Sequence, residues 1–414
     1  MAVVPSAKTE SLREHSQLIN EMSAGETIVE SGSGVSIFHL AGVEIHSIAD
    51  PSRMHAHFIG KIREFEPTWI LVSSEDPGQI LLEAALKESP SRIVYLAHTP
   101  AMLPFGPDCF FANPARCDLL RQVAGVLSVS RYVKDYLWRW GGIDSDAITF
   151  PNFGRGPFPN FGDFDRAFVT MINPCAVKGI IIFLELAKNL PHVDFAVVPT
   201  WGTTKEDFLA LNQLPNVRIL QPVKDIDKIF AQSRVLLVPS LWNEAFGTVV
   251  TEAMLRGIPA LASNVGGLAE TKLGVDYLLP VNPIERYEEV FDEKGTTFIP
   301  KIPPQEIEPW LQSLSEILSS RARYESLSSA SRDAALKFVS TLSIEPFENY
   351  LGRLSAKHQV SANDKQGKDA LSKAHHPSPT LSGLSPEKRA LLALKLSKKG
   401  QTPDGTPLEK APND

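Results

Sequence analysis

The run PSLWNEAFGTVVTEAMLRGIPALASNVGGLAE, from Pro239 to Glu270, decides how the chain folds. It follows SRVLLV (233–238), an aliphatic run that reads as a buried strand ending at Pro239-Ser240. LWNEAFG then reads as a loop, and FGTVVTEAMLRG as a helix closed by Gly257. The start of such a helix presents unpaired backbone N–H groups near Phe246, Gly247 and Thr248, together with the positive end of the dipole, and so suits a phosphate. Gly247 lets a ligand approach the backbone closely. A carboxylate at Glu244 would repel a phosphate, and accepts more naturally from uncharged groups such as sugar hydroxyls. Glu252 lies too deep in the helix to cap it. On this helix alone a plainer reading stands beside that one: Glu244 as an acid favoured by the dipole, Glu252–Arg256 as a solvated i,i+4 pair.

Outward from this run, short β-branched stretches alternate with amphipathic ones. AGVEIHSI, TWILVSS, SRIVYLAH, GVLSVS and DAITFPN come first; AFVTMIN, VDFAVVP, NVRILQP, SRVLLVPS and IPALASN follow. GQILLEAALKES, SRYVKDYLWRW and KGIIIFLELAKNL are helix-length segments between them. The alternation predicts an α/β chain with parallel sheets covered by helices. FPNFGRGPFPNFGDFD (150–165), rich in Pro, Gly and Phe, interrupts it and separates a first Rossmann-like domain over 1–155 from a second over 166–354. In such folds ligands sit beyond the carboxyl ends of the strands, which makes the cleft between the domains the expected site. Beyond Tyr350 there are no aromatic residues, and 355–414 is expected to be a disordered tail. Ser385, Pro386 and Gly400 bracket one short helix there, over 385–399.

Composition narrows the function classes. The chain has 414 residues, 43% of them hydrophobic, and a net charge of -7, which speaks against a nucleic-acid binder. Three cysteines, 109, 117 and 175, form no C-x-x-C pair, so a cytoplasmic setting is expected. No apolar run reaches the length of a membrane span, although a peripheral membrane contact stays open. The D-x-D triplets at 144/146, 163/165 and 225/227 fall where turns and helix caps are expected, and His55-x-His57 lacks further ligands, so no metal site is expected.

Taken with its surroundings, the run resembles the signature of the retaining, nucleotide-sugar-dependent glycosyltransferases of family 4. The resemblance rests on Pro239-Ser240, Glu244-Ala245-Phe246-Gly247, Glu252-Ala253-Met254, Gly257-Ile258-Pro259 and Gly266-Gly267-Leu268-Ala269-Glu270, in that order. It implies the GT-B fold, two Rossmann-like domains facing a cleft, with a nucleoside-diphosphate sugar as co-substrate and no cofactor. It also implies that Glu244 faces the donor sugar, Glu252 the ribose, and the backbone at Phe246 to Thr248 the diphosphate. Lys178-Gly179 matches the family's Lys-Gly, while Asn173 stands where most members carry Arg, so Lys178 and Asn173 share the leaving diphosphate. His98, ending SRIVYLAH, matches a histidine that orients the sugar from the first domain. The implied chemistry is same-face attack by an acceptor hydroxyl, whose proton passes to the leaving phosphate.

Two segments depart from the pattern. Family members open with a strand and a Gly-rich loop, whereas here the chain enters at a helix expected over Leu12 to Met22. Either MAVVP supplies the first strand or the N-terminal sheet lacks one, and VESGSGVS reads as a turn rather than a phosphate loop. In the tail, LSPEKRALLALKL is similar to the linker ahead of condensation domains in nonribosomal peptide and polyketide synthetases. That similarity implies a natural-product pathway and a synthetase as partner. The acceptor, the base and the sugar have no readable code. A non-catalytic scaffold and a nucleotide-sugar epimerase of the same fold are the competing expectations.

Overall fold

Short aliphatic runs set the architecture of both halves, and those at the centre of the two parallel sheets are buried on both sides. The computed structural model describes residues 2–5, 29–31, 35–40, 42–150, 152–153, 156–292 and 295–356. The first half runs β1 (Ala2–Pro5), β2 (Val29–Ser31), β3 (Val35–Leu40), β4 (Val43–Ile48), α1 (Pro51–Phe65), β5 (Ile70–Ser73), α2 (Ile80–Glu88), β6 (Ile93–Ala97), α3 (Pro114–Leu120), β7 (Gly125–Ser128), α4 (Arg131–Gly141) and β8 (Asp146–Ala147). The second half runs β9 (Phe168–Ile172), α5 (Ile180–Asn189), β10 (Phe195–Val198), α6 (Lys205–Asn212), β11 (Val217–Ile219), α7 (Asp227–Phe230), β12 (Ser233–Val238), α8 (Thr248–Leu255), β13 (Ala260–Ser263), α9 (Leu268–Thr271) and β14 (Leu278–Leu279). A hairpin, β15 (Tyr287–Asp292) and β16 (Gly295–Pro300), and two long helices, α10 (Glu308–Ser319) and α11 (Arg321–Ser340), complete it.

The second sheet has the order β11-β10-β9-β12-β13-β14, parallel throughout. Alternate residues of β12 face different cores. Val235 and Leu237 pack with Phe183, Phe195, Trp310 and Tyr324, while Leu236 and Val238 pack with Phe230, Val250, Met254 and Leu268. This two-sided burial explains why the strand reads as an unbroken apolar run.

The first half holds two sheets of four strands among the described residues. β5-β6-β7-β8 is parallel, as the alternation predicts. The other, β1-β4-β3-β2, is mixed: β1 runs parallel to β4 with Ala2 opposite Ile45, and β3 lies antiparallel to both β4 and β2. AVVP therefore does form a strand, which settles the alternative in which the sheet lacks its first one. VES and VSIFHL are antiparallel partners, with Ser31 opposite Val35, so the Ser-Gly stretch joins two strands of a hairpin. The helix expected over Leu12 to Met22 lies outside the described residues.

Near its end the chain returns to the first half. In helical residues 345–354, Tyr350 and Leu354 cover Val94, Leu127 and Ile148, and the Tyr350 hydroxyl donates to the Val126 carbonyl at 3.2 Å. The expected second domain thus includes residues that complete the core of the first. Beyond Leu354 the chain falls to a separate unit. The helix expected at 385–399, and with it the synthetase contact, lies outside the described residues. Among the described residues no helix is long and apolar enough to cross a membrane.

Two details fix the edge of the second sheet. Gly179 sits at φ +80°, and a Cβ there would lie 1.9 Å from the Pro239 carbonyl oxygen, so the turn after β9 rests directly on the chain leaving β12. Gly142, at φ +60°, has nothing within 4 Å of a built Cβ. Gly142→Ala should therefore cost only the left-handed backbone penalty, about 1 kcal/mol, and Gly179→Ala at least twice that. Equal losses in denaturant midpoint would contradict the close packing at Pro239.

Lys272 is the other detail. It is buried and donates to the Ala260 carbonyl at 2.6 Å; burial pushes its ammonium down to about 7, against a smaller upward pull from Asp276. Between pH 7 and 10 the folded chain therefore holds fewer protons here than the unfolded chain, so this site's contribution to stability grows as pH rises. Thermal unfolding at pH 7, 8 and 9 should show wild type gaining on Lys272→Met by about 1 kcal/mol per unit. A pH-independent difference would contradict it.

Candidate functional site

Adjacent, parallel β9 and β12 bring the loops that leave them together at the carboxyl edge of the sheet. The β9 loop carries Asn173 and Lys178; the β12 loop carries Ser240, Glu244, Phe246 and Gly247 and leads into α8. With Thr248 these residues line a cavity of about 320 Å³, a size that suits a small ligand.

The centre of the cavity is a charged cluster. Lys178 Nζ donates to Glu244 Oε1 at 2.5 Å, and the Ser240 hydroxyl donates to the same oxygen at 2.6 Å. Glu244 is only 8% exposed, and both of these hydrogen bonds end on Oε1, leaving Oε2 outside them. Lys178 Nζ also lies 4.7 Å from the centre of the Trp242 ring, a cation–π contact that holds the ammonium to one side.

Asn173 supplies a donor. It sits in the left-handed region at φ +57°, which Asn tolerates better than most residues. Its Oδ1 accepts from the Gly202 N–H at 3.1 Å, while its Nδ2 is buried with no partner. An unmatched buried donor lining a cavity fits a ligand oxygen. The start of α8 is equally open. Gly247 is its N-cap at φ +86° and no side chain caps the helix, so its first N–H groups face the same cavity wall as Thr248.

Two expected site residues lie elsewhere. Glu252 is one turn further along α8 and does not line the cavity; burial raises its carboxyl, with Arg256 pulling it down and Asp227 pushing it up. The solvated Glu252–Arg256 pair is not formed. Arg256 is buried, its Nε donates to Asp227 and its Nη1 to the Glu252 backbone carbonyl at 3.0 Å. His98 ends β6 in the first half; its N–H donates to the Ser74 hydroxyl at 2.9 Å, and burial lowers its imidazole despite Glu75. It does not line the cavity either.

The paired aspartates have ordinary partners. Asp146 pairs with Arg353 at 2.6 Å, Asp165 with Arg321 at 2.7 Å, and Asp163 and Asp225 each accept a backbone N–H two residues on. His57 Nε2 meets His46 Nδ1 at 3.1 Å. Among the described residues no three or more His, Cys, Asp or Glu side chains are grouped to hold a metal.

Sequence reading missed several participants. Trp201, 72% exposed on the rim, lies with its ring 6.1 Å from Trp242. Asn243 Nδ2 donates to Asp108 Oδ1 at 2.9 Å, linking the β12 loop to the first half. The hairpin also reaches that half: Phe298 stacks on Phe110 at 5.1 Å, and Tyr287 meets the same ring edge-on at 5.0 Å. Long-range partners of this kind leave no signal in local spacing.

Residues 175–293 match the family described as Glycosyl transferases group 1. The chain is 38% identical over 116 residues to the alpha-1,3/1,6-mannosyltransferase alg-2 of Neurospora crassa, covering 27% of this chain and 23% of that one. It is 28% identical over 156 residues to an uncharacterized glycosyltransferase of Methanocaldococcus jannaschii, covering 35% and 41%. The chain thus spans less than half the length of these curated relatives. Among solved structures, sucrose-phosphate synthase from Thermosynechococcus elongatus superposes with TM-score 0.58 at 15% identity, over 87% of this chain and 99% of that one. Anabaena HepE in complex with UDP and glucose gives 0.57 at 16%, over 84% and 91%. At such identities the likeness shows the fold alone. Residues 175–293 thus match the glycosyl transferases group 1 family, on a chain with the GT-B fold.

Proposed function

We propose that this chain is a glycosyltransferase that moves a sugar from a nucleoside diphosphate to an acceptor hydroxyl with retention at the anomeric carbon. The observation that carries the reading is the single cavity where Lys178, the unmatched Asn173 amide and the open start of α8 surround Glu244. Three donors, one of them charged, suit a diphosphate, and the Glu244 oxygen outside the Lys178 and Ser240 bonds suits a sugar hydroxyl.

In this reading the anomeric C–O bond to the diphosphate breaks as the acceptor oxygen bonds to the same face of the carbon. The acceptor proton passes to the departing phosphate oxygen. Lys178, Asn173 and the amides of Gly247 and Thr248 stabilise the charge that builds there. Glu244 holds the sugar through Oε2, and His98, neutral where burial keeps it, orients a hydroxyl once the cleft holds the donor. Glu252 is assigned to the ribose, whose hydroxyls would meet the cost of its burial. The family 4 type and a metal-free mechanism belong to this proposal, since they rest on the signature. A place in natural-product assembly rests on the tail resemblance alone.

Calorimetry with UDP, GDP and ADP tests the reading. Wild type should bind at least one of them, and Lys178→Ala should weaken that binding on the order of tenfold, about 1.4 kcal/mol. Glu244→Ala should abolish transfer from the matching sugar nucleotide. A wild-type chain that binds no nucleoside diphosphate would overturn the proposal, as would conversion of the sugar nucleotide to its epimer without an acceptor.

A further inference from the structure

The signature closes with Gly266-Gly267-Leu268-Ala269-Glu270, none of which lines the cavity. Its two glycines lie against the backbone of the Glu244 loop. A Cβ on Gly266 would fall 2.3 Å from the Glu244 carbonyl oxygen, and one on Gly267 2.4 Å from that of Ala245. The Gly267 N–H donates to the Glu244 carbonyl at 2.7 Å. No side chain fits between the two segments, so they move as one body.

Glu270 points away from this contact and into the first half. Its carboxylate accepts from the Arg131 N–H at 3.0 Å and the Tyr132 N–H at 2.7 Å, the first two amides of α4. Ser130, the N-cap of that helix, accepts from the Val133 N–H at 3.1 Å and donates its hydroxyl to the Ala245 carbonyl at 2.5 Å. The first turn of α4 is therefore satisfied partly from the other half of the molecule. A carboxylate on open helix amides is favoured by both hydrogen bonding and the dipole. Ser130 grips the residue next to Glu244, and Glu270 grips through the two glycines.

We propose that Glu270, with Ser130, is a positioning residue: a clamp by which the start of α4 in the first half fixes the loop carrying Glu244 in the second. The catalytic meaning of that placement rests on the function proposed above; the clamp itself does not. Neither residue lines the cavity, so neither contacts a bound nucleotide itself.

Hydrogen exchange on the full chain, without ligand, reads the clamp directly. Glu270→Gln should speed exchange of the amides at 131–133 and also at 243–247, each by about tenfold, the equivalent of one charge-assisted hydrogen bond. Ser130→Ala cuts the other arm and should loosen the same two stretches, so it carries the test if Glu270→Gln does not fold. A rise confined to 131–133 would mean that Glu270 only caps α4, and would overturn the proposal. Exchange at 243–247 is informative whether or not wild type binds a nucleotide, so the clamp and the transferase reading fail separately. With a donor in hand, Glu270→Gln should lower kcat on the order of tenfold while weakening nucleoside-diphosphate binding by clearly less than kcat falls. A parallel loss in both would also contradict a positioning role.

Discussion

A single carboxylate oxygen, Glu244 Oε1, receives the Lys178 ammonium at 2.5 Å and the Ser240 hydroxyl at 2.6 Å, and the rest of the site is arranged around that contact. It exists because β9 and β12 are neighbours, so that loops separated by 66 positions meet at one sheet edge. Gly179 lets the first loop lie on the Pro239 carbonyl, which sets Lys178 opposite Glu244. Removing one partner of such a half-buried pair would leave the other charge exposed to the full cost of burial. The pair is also poised for exchange. On the proposed function, a diphosphate entering beside Asn173 and the start of α8 would compete with Glu244 for the Lys178 ammonium.

Both halves converge on this loop. Asp108 holds Asn243, Ser130 holds Ala245, and Glu270 returns from the loop's neighbour to the start of α4. The β15–β16 hairpin adds an aromatic contact to Phe110 and Phe111, close in sequence to Asp108. Among the described residues the cavity is lined by the second half, while the loop carrying Glu244 is also held by residues of the first.

The sequence made most of the second half legible. The central strands β9, β10, β12 and β13 are buried on both faces, so apolar runs mark them, and the signature residues 239–270 keep their spacing in one continuous stretch. The first half was less readable. VSIFHL belongs to a hairpin that parallel strand–helix alternation does not predict, and AVVP is too short to declare itself a strand without its partner β4. At the site, Lys178, Glu244, Asn173 and the start of α8 line one cavity. Arg256 shows the limit of local spacing: four residues from Glu252, it is instead drawn inward to Asp227 and to the rings of Phe158 and Phe230. Asn173 could be read as a donor, but its left-handed backbone and its bond to Gly202 depend on a loop 29 positions away.

The exchange of Lys178 between Glu244 and a diphosphate is the claim on which the account turns. Titration of inorganic pyrophosphate into wild type and Glu244→Gln tests it without reference to any donor base. Neutralising the carboxylate frees the ammonium and removes a like-charge neighbour, so Glu244→Gln should bind pyrophosphate about threefold to tenfold more tightly than wild type. Equal or weaker binding by Glu244→Gln would contradict the account.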